Sequence, residues 1–167
     1  YWIGLKALCA DRTILGLSLM GGFRTAGLFG IFAFLPLYLA EVLQLPEERQ
    51  GLALATMQIG GFIAGPLAGM LSDKIGRQPI VVGGLSTVTM VIFGLTFVGD
   101  ATIFIVGITV LGFALYAIRP VVHAWMMDIA PDRHGGSAAS VLFAIQTVIT
   151  GGFVVLAGEI ADEFGLV

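Results

Sequence analysis

The sequence predicts an all-α membrane protein, a bundle of transmembrane helices with five spans, and three observations predict it. Of 167 residues, 57% are hydrophobic and 11% charged, against roughly 25% charged in an ordinary soluble domain, so a water-soluble fold would lack the polar side chains to cover its surface. The mean hydropathy is +1.00. Glycine, at 24 residues, is about twice its usual ~7% share, which suits helices that pack backbone to backbone in lipid. Five stretches each supply the ~20 mostly apolar residues that a helix needs to cross the hydrocarbon core.

The first stretch covers about 13–40 and is rich in aromatics, with Phe23, Phe29, Phe32, Phe34 and Tyr38. The second, about 51–71, carries Gly61, Gly65 and Gly69 at intervals of four, a small-residue row that lets a neighbouring helix approach closely. The third covers about 79–98, the fourth 101–127 and the fifth 137–158. The links 41–50, 72–78, 99–100 and 128–136 are too short for a soluble domain, so successive spans are expected to be antiparallel neighbours. Lys6, Arg12, Lys74, Arg77 and Arg133 fall on one side and only Arg49 on the other. The positive-inside rule puts the former side, with the 72–78 link, in the cytoplasm. Glu41, Glu47, Glu48, Asp100, Glu159, Asp162 and Glu163 then face out. An odd number of spans implies a returning sixth helix beyond this chain. The start at Tyr1, without an initiator Met or a signal peptide, reads as a cut from something longer.

Composition also excludes function classes. The net charge of −3, without a basic block, marks no nucleic-acid surface. Cys9 makes no internal disulfide and reads as a small apolar residue. Cys/His metal spacing, a Ser/His/Asp nucleophile arrangement and a Gly-rich loop joined to Lys-Ser or Lys-Thr are all missing from the sequence. An enzyme, a metal site and a nucleotide-driven pump are therefore not expected, and no cofactor is implied. Energy would come from a gradient.

The link after the second span reads Gly69-Met70-Leu71-Ser72-Asp73-Lys74-Ile75-Gly76-Arg77-Gln78. Gly76 permits the positive φ that a tight reversal between two spans needs. Asp73 and Arg77, four apart, pair with each other or with helix ends. The alternative is an ordinary Gly-rich turn with solvated charges. The segment resembles the major facilitator superfamily signature G-x-L-a-D-[RK]-x-G-R-[RK], found between the second and third helices of a half. It keeps both glycines, the Asp, the basic residue after it and the Arg, and departs at Gln78. Two weaker echoes extend the resemblance. Pro131-Asp132-Arg133-His134-Gly135-Gly136-Ser137 is similar to the family's P-x-x-x-G-x-x link, with Ser137 the expected N-cap of the fifth helix. Gly158 to Gly165 is similar to the degenerate G-x-x-a-D-x-x-G that closes a fifth helix. The lead-in Gly4-Leu5-Lys6-Ala7-Leu8 and the lack of a Gly-Pro pair in the fifth span favour the C-terminal half, helices seven to eleven. On this resemblance the chain is one incomplete half-domain over 1–167, with five of an expected six spans.

Arg24 lies about eleven residues, or ~16 Å, into the first span, and Arg119 a similar distance from the cytoplasmic end of the fourth. An arginine at mid-membrane costs at least ~2.5 kcal/mol, so each is expected to face a cavity or a partner. The resemblance implies inverted three-helix repeats whose first helices, here the first and fourth spans, line a central cavity. Thr109, Gly112, Tyr116, Arg119 and His123 recur at threes and fours on one face of the fourth span, and Pro120 is expected to break the helix locally there. Arg24, Tyr116, Arg119 and His123 are the candidate solute contacts. The alternatives are snorkelling, structural pairing with an acid elsewhere, and, for His123, a satisfied hydrogen bond or a proton relay. Gln58, Gln146 and Thr150 read as interhelical hydrogen-bonding residues. Gly69, Asp73, Lys74, Gly76, Arg77, Arg133 and Asp128, which ends the fourth span within reach of Arg77, are assigned to a cytoplasmic gate.

The resemblance implies gradient-driven secondary transport of a small solute by alternating access. Two arginines without a mid-span acid fit an organic or inorganic anion, which a guanidinium grips bidentately. The rival is proton-coupled efflux of multidrug or other hydrophobic solutes, with the coupling acid in the N-terminal half. A receptor or scaffold without transport is the alternative of another class. The expected partners are the bilayer, the solute, the N-terminal half and, as coupling ion, protons. The expected location is a bacterial inner membrane.

Overall fold

The computed structural model describes residues 11–130 and 135–163. Five helices, α1 Arg12–Leu37, α2 Glu47–Ile75, α3 Arg77–Leu95, α4 Ala101–Ile129 and α5 Gly135–Glu163, account for nearly all of them. Their lengths of 26, 29, 19, 29 and 29 residues correspond to roughly 28–44 Å at 1.5 Å per residue, enough to cross a bilayer. All five are long and apolar enough to do so. Large side chains such as Phe62, Phe93, Phe97 and Val148 stand exposed along them, on a scale that a soluble monomer rarely shows. The chain is a multi-pass integral membrane protein.

Several helix ends depart from the edges of the apolar runs, and local chemistry explains the main ones. Asp11 caps α1, its Oδ1 accepting from the N–H groups of Thr13 (2.8 Å) and Ile14 (3.2 Å). Pro36 removes a donor near the other end, and a π-helical turn at Tyr38–Val42 follows where the apolar run promised plain helix. Helix α2 starts four residues before the apolar stretch, because Pro46 sets an extended N-cap and Glu47 and Glu48 suit the positive helix end. It also continues through Ser72-Asp73-Lys74-Ile75, so the expected polar link of 72–78 shrinks to Gly76 alone, at φ 97° and ψ 160°. Only glycine takes up that backbone conformation readily. Asp100 caps α4 through Thr102 N and Ile103 N, both at 2.9 Å. Ser137 does not cap α5: the helix already begins at Gly135 and takes two glycines into its first turn.

The chain forms two compact units, one of Phe34–Val122 and one of the remaining described residues. In the second of these, α1 and α5 run parallel, with Gly21 and Gly22 against Gln146 and Ile149 and Gly30 against Phe153. In the unit of Phe34–Val122, α3 runs antiparallel to α4, with Gly84 on Ile118 and Gly107 on Leu95. The tightest crossing there joins the parallel, non-consecutive helices α2 and α4. A Cβ at Gly60 would sit 2.8 Å from the Thr109 carbonyl oxygen, and one at Gly112 would overlap the Met57 carbonyl oxygen. Lipid tails are as apolar as leucine, so close approach of this kind, and not exclusion of water, holds such helices together. The row expected to mediate it is only partly used. Gly61 faces the Tyr116 ring, but nothing lies within 4 Å of a Cβ built at Gly65 or Gly69. The buried row is Ala53, Met57, Gly60, Gly61, Ala64, Ala68 and Ser72.

Candidate functional site

The midsection of α4 holds the polar side chains that composition alone makes costly in a membrane. Tyr116 is half-buried, its ring lying over Gly61, and its hydroxyl donates to Gln58 Oε1 of α2 at 2.6 Å. Missing Cβ atoms at Gly61 and Gly112 are what allow the two helices, and so these two side chains, to meet. Gln58 itself is exposed. One turn further along α4, Arg119 is also exposed and has no hydrogen-bond or ion-pair partner among the described residues. Pro120 stands beside it, yet α4 continues unbroken from Ala101 to Ile129. The expected local break is absent; the proline removes one N–H, and the rest of the helical ladder carries through.

The face expected along α4 divides. Gly112 is buried in the contact with Met57, and Thr109 is half-buried with its hydroxyl returned to the Ile105 carbonyl at 2.8 Å. Both serve packing. Tyr116 and Arg119 carry the accessible polar groups. In the other unit, His123 is half-buried with its ring 5.0 Å from that of Phe143 in an edge arrangement, and it has a further interaction partner. Arg24 is half-buried, donating from Nη2 to Thr25 Oγ1 at 3.1 Å, while Thr25 donates to the Gly21 carbonyl at 2.8 Å. Gln146 packs against Gly21. Thr150 Oγ1 is enclosed with no hydrogen-bond partner among the described residues.

At the α2–α3 joint, Arg77 Nη1 contacts both Asp73 Oδ1 at 2.5 Å and Ser72 Oγ at 2.6 Å. Ser72 in turn donates to the Gly69 carbonyl at 2.8 Å. The guanidinium is thus tied to the C-terminal end of α2 through a buried hydroxyl, a position where the helix dipole favours a cation. Lys74, exposed in the same last turn, gains from the same field. Asp128 is exposed in the last turn of α4 and has an interaction partner of its own. Arg133 lies outside the described residues. Ser72 is the member of this cluster that the sequence argument passed over, because a small hydroxyl beside a signature aspartate carries no pattern of its own. Likewise, Gln58 was placed as an interhelical residue without a partner.

A sequence model of the Major Facilitator Superfamily matches residues 17–166. Among curated proteins, the chain is similar to the Multidrug transporter protein MdtP of Bacillus subtilis (strain 168), 30% identical over 78 residues, which is 47% of this chain and 14% of that protein. It is 26% identical over 159 residues to the Multi-drug resistance efflux pump PmrA of Streptococcus pneumoniae serotype 4, covering 91% of this chain and 39% of the pump. It is 25% identical over 124 residues to the Proline/betaine transporter of Salmonella typhimurium, covering 72% and 25% respectively. The chain therefore spans between 14% and 39% of the length of these relatives. No solved structure matches it. Five membrane-crossing helices, a signature segment wound around a single glycine joint, and a family match over nearly the whole length lead to one conclusion: the chain belongs to the Major Facilitator Superfamily.

Proposed function

We propose that the chain is the part of a gradient-driven secondary transporter that holds the charged end of a small anionic solute, which moves by alternating access. The observation that carries this reading is Arg119: a guanidinium in the interior of a membrane-crossing helix, exposed, with no partner among the described residues. Such a charge is permanent and is costly against hydrocarbon. A carboxylate or phosphate offers it two parallel hydrogen bonds and neutralises it. Arg24, Tyr116 and His123 are assigned to the same solute path from their positions in the sequence. Asp73, Arg77 and Asp128 are assigned to a gate on the cytoplasmic side, in an inner membrane. The test is uptake by the full-length protein in proteoliposomes, with a panel of radiolabelled organic and inorganic anions. At least one should be accumulated by wild type and not by Arg119→Ala. A panel that is ignored, or one taken up equally well by the variant, overturns the reading.

A second reading is proton-coupled efflux of hydrophobic solutes. It is favoured by the names of relatives such as MdtP and PmrA, which are a multidrug transporter and an efflux pump. Exclusion of a lipophilic cationic dye from proteoliposomes under an imposed pH gradient, unaffected by Arg119→Ala, would establish it over the first.

A further inference from the structure

The α2–α4 crossing puts one hydrogen bond to an unusual use. Tyr116 donates to Gln58 Oε1 at 2.6 Å, so the oxygen of the amide is occupied and the Nε2 end, which has no acceptor among the described residues, is the end left to the exposed side. Arg119 is exposed three residues after Tyr116, a spacing that makes the two neighbours on the helix surface. The nearest backbone acceptor of this turn, the Tyr116 carbonyl, lies four residues before Pro120, whose ring takes the place of the N–H that would have met it and covers it. What the site presents outward is therefore mainly donors: an amide N–H2 and a guanidinium. Two aromatic side chains flank it. Phe62 follows Gln58 by one turn at 85% exposure, and Phe113 precedes Tyr116 by one turn at 40%.

We propose that Gln58 and Arg119 together bind an anionic group that only accepts hydrogen bonds, carried on an aromatic or otherwise apolar body, and that Tyr116 is the positioning residue that selects for it. This rests on the reading that Arg119 holds solute charge. An amide left to rotate presents its oxygen or its nitrogen with equal ease and discriminates poorly between acceptors and donors. With its oxygen held against the tyrosine hydroxyl, the end of Gln58 left to turn outward is the N–H2, while the oxygen's second lone pair stays beside Tyr116. A solute that brings its own donor then leaves polar groups unpaired, which is how such sites reject near-isosteres.

The probes are benzoate, its uncharged relative benzamide and its cationic relative benzylamine, titrated against the detergent-purified protein by saturation-transfer NMR. Wild type should prefer benzoate to both by about tenfold or more, as expected for a charge-assisted hydrogen bond. Gln58→Leu, at an exposed position where it fills no tight space, should weaken benzoate about tenfold. Gln58→Glu should weaken it further and tighten benzylamine. Tyr116→Phe, which keeps the ring over Gly61, should hold benzoate within about threefold while the benzoate-to-benzamide ratio falls about tenfold, because the amide oxygen is now free to turn outward. Benzoate binding that is lost in Arg119→Ala but unchanged in both Gln58 variants overturns the donor pair and leaves the anion reading standing. Binding unchanged in Arg119→Ala, or a wild type that distinguishes none of the three probes, overturns both. An unaltered ratio in Tyr116→Phe removes the positioning role.

Discussion

Replacing Gly112 by alanine puts a methyl group where the α2 backbone already is. The new Cβ would overlap the Met57 carbonyl oxygen, with Met57 Cγ at 2.7 Å and the carbonyl carbon at 3.0 Å. A flexible side chain would swing away, but a helical carbonyl is held by its own ladder, so the two helices must part. A separation of ~1 Å forfeits up to about half of each dispersion contact across the crossing. Overpacking of this kind costs about 1–3 kcal/mol. The upper part of that range applies here, reduced by the ~0.8–1 kcal/mol that alanine gains over glycine inside a helix. Gly65→Ala on α2 is the internal control. Nothing lies within 4 Å of its Cβ, so it should keep the propensity gain without a penalty. The two variants should then differ by about 2–3 kcal/mol, or roughly 4–12 °C in apparent melting temperature at ~2–4 °C per kcal/mol. A thermal ramp in dodecyl maltoside, read by fluorescence-detected size exclusion, measures this. Gly112→Ala melting within about 2 °C of Gly65→Ala would refute the claim that backbone contact holds α2 to α4.

Three further outcomes follow from the site and the joint. Single cysteines at positions 74 and 47 should label from opposite faces with an impermeant reagent, 47 from outside intact cells; labelling of 74 from outside would reverse the proposed orientation. Arg119→Lys keeps a charge but loses the planar fork, so solute affinity should fall about tenfold or more with expression unchanged, and an equal affinity in radioligand binding would assign Arg119 to packing. In a double-mutant cycle, Asp73→Ala and Arg77→Ala should be less than additive on transport rate. The exposed pair itself is worth only ~0.2–1 kcal/mol, and additivity would show that the two charges act separately.

The number and type of helices were legible because each apolar run has the ~20 residues of a helical span, about twice what a barrel strand needs, and a helix satisfies its backbone from within the segment. Their ends were not, because hydropathy marks where lipid begins and not where hydrogen bonding stops: Glu47, Asp73 and Lys74 are helical although polar. The glycine row failed for a geometric reason. Each step of four residues overshoots a full turn by about 40° and each step of three falls short by about 60°. Gly65 and Gly69 therefore drift about 40° and 80° to one side of Gly61, while Ala64 and Ala68 lie to the other side, with Met57 on the buried face. Gly76 was readable because a reversal between two spans needs a backbone conformation that only one residue type supplies. The bond between Gln58 and Tyr116 joins residues 58 apart in the chain, and no local pattern encodes such a pairing. Arg24 and Arg119 stood out from the sequence alone, since charge inside an apolar run is visible without any structure.

The π-helical turn at Tyr38–Val42 leaves a trace in how this stretch of chain tolerates changes of length. Such a turn closes with a bond from i to i+5, as Leu43 N to Tyr38 O does here at 3.1 Å, and so holds one residue more than an α-helical turn. Removing one residue from an ordinary helix rotates everything beyond it by about 100°, which in a bundle turns apolar faces inward and packed faces out. Here the same deletion would let the turn rewind as α-helix, with both flanks keeping their register. Tyr38, stacked on Phe104 at 5.0 Å, and Leu39, fully buried, anchor the turn, whereas Glu41 and Val42 are exposed and carry no packing. The end of α1 is thus built with one residue in reserve, and it is there, not within the spans, that the chain can shorten without disturbing the bundle.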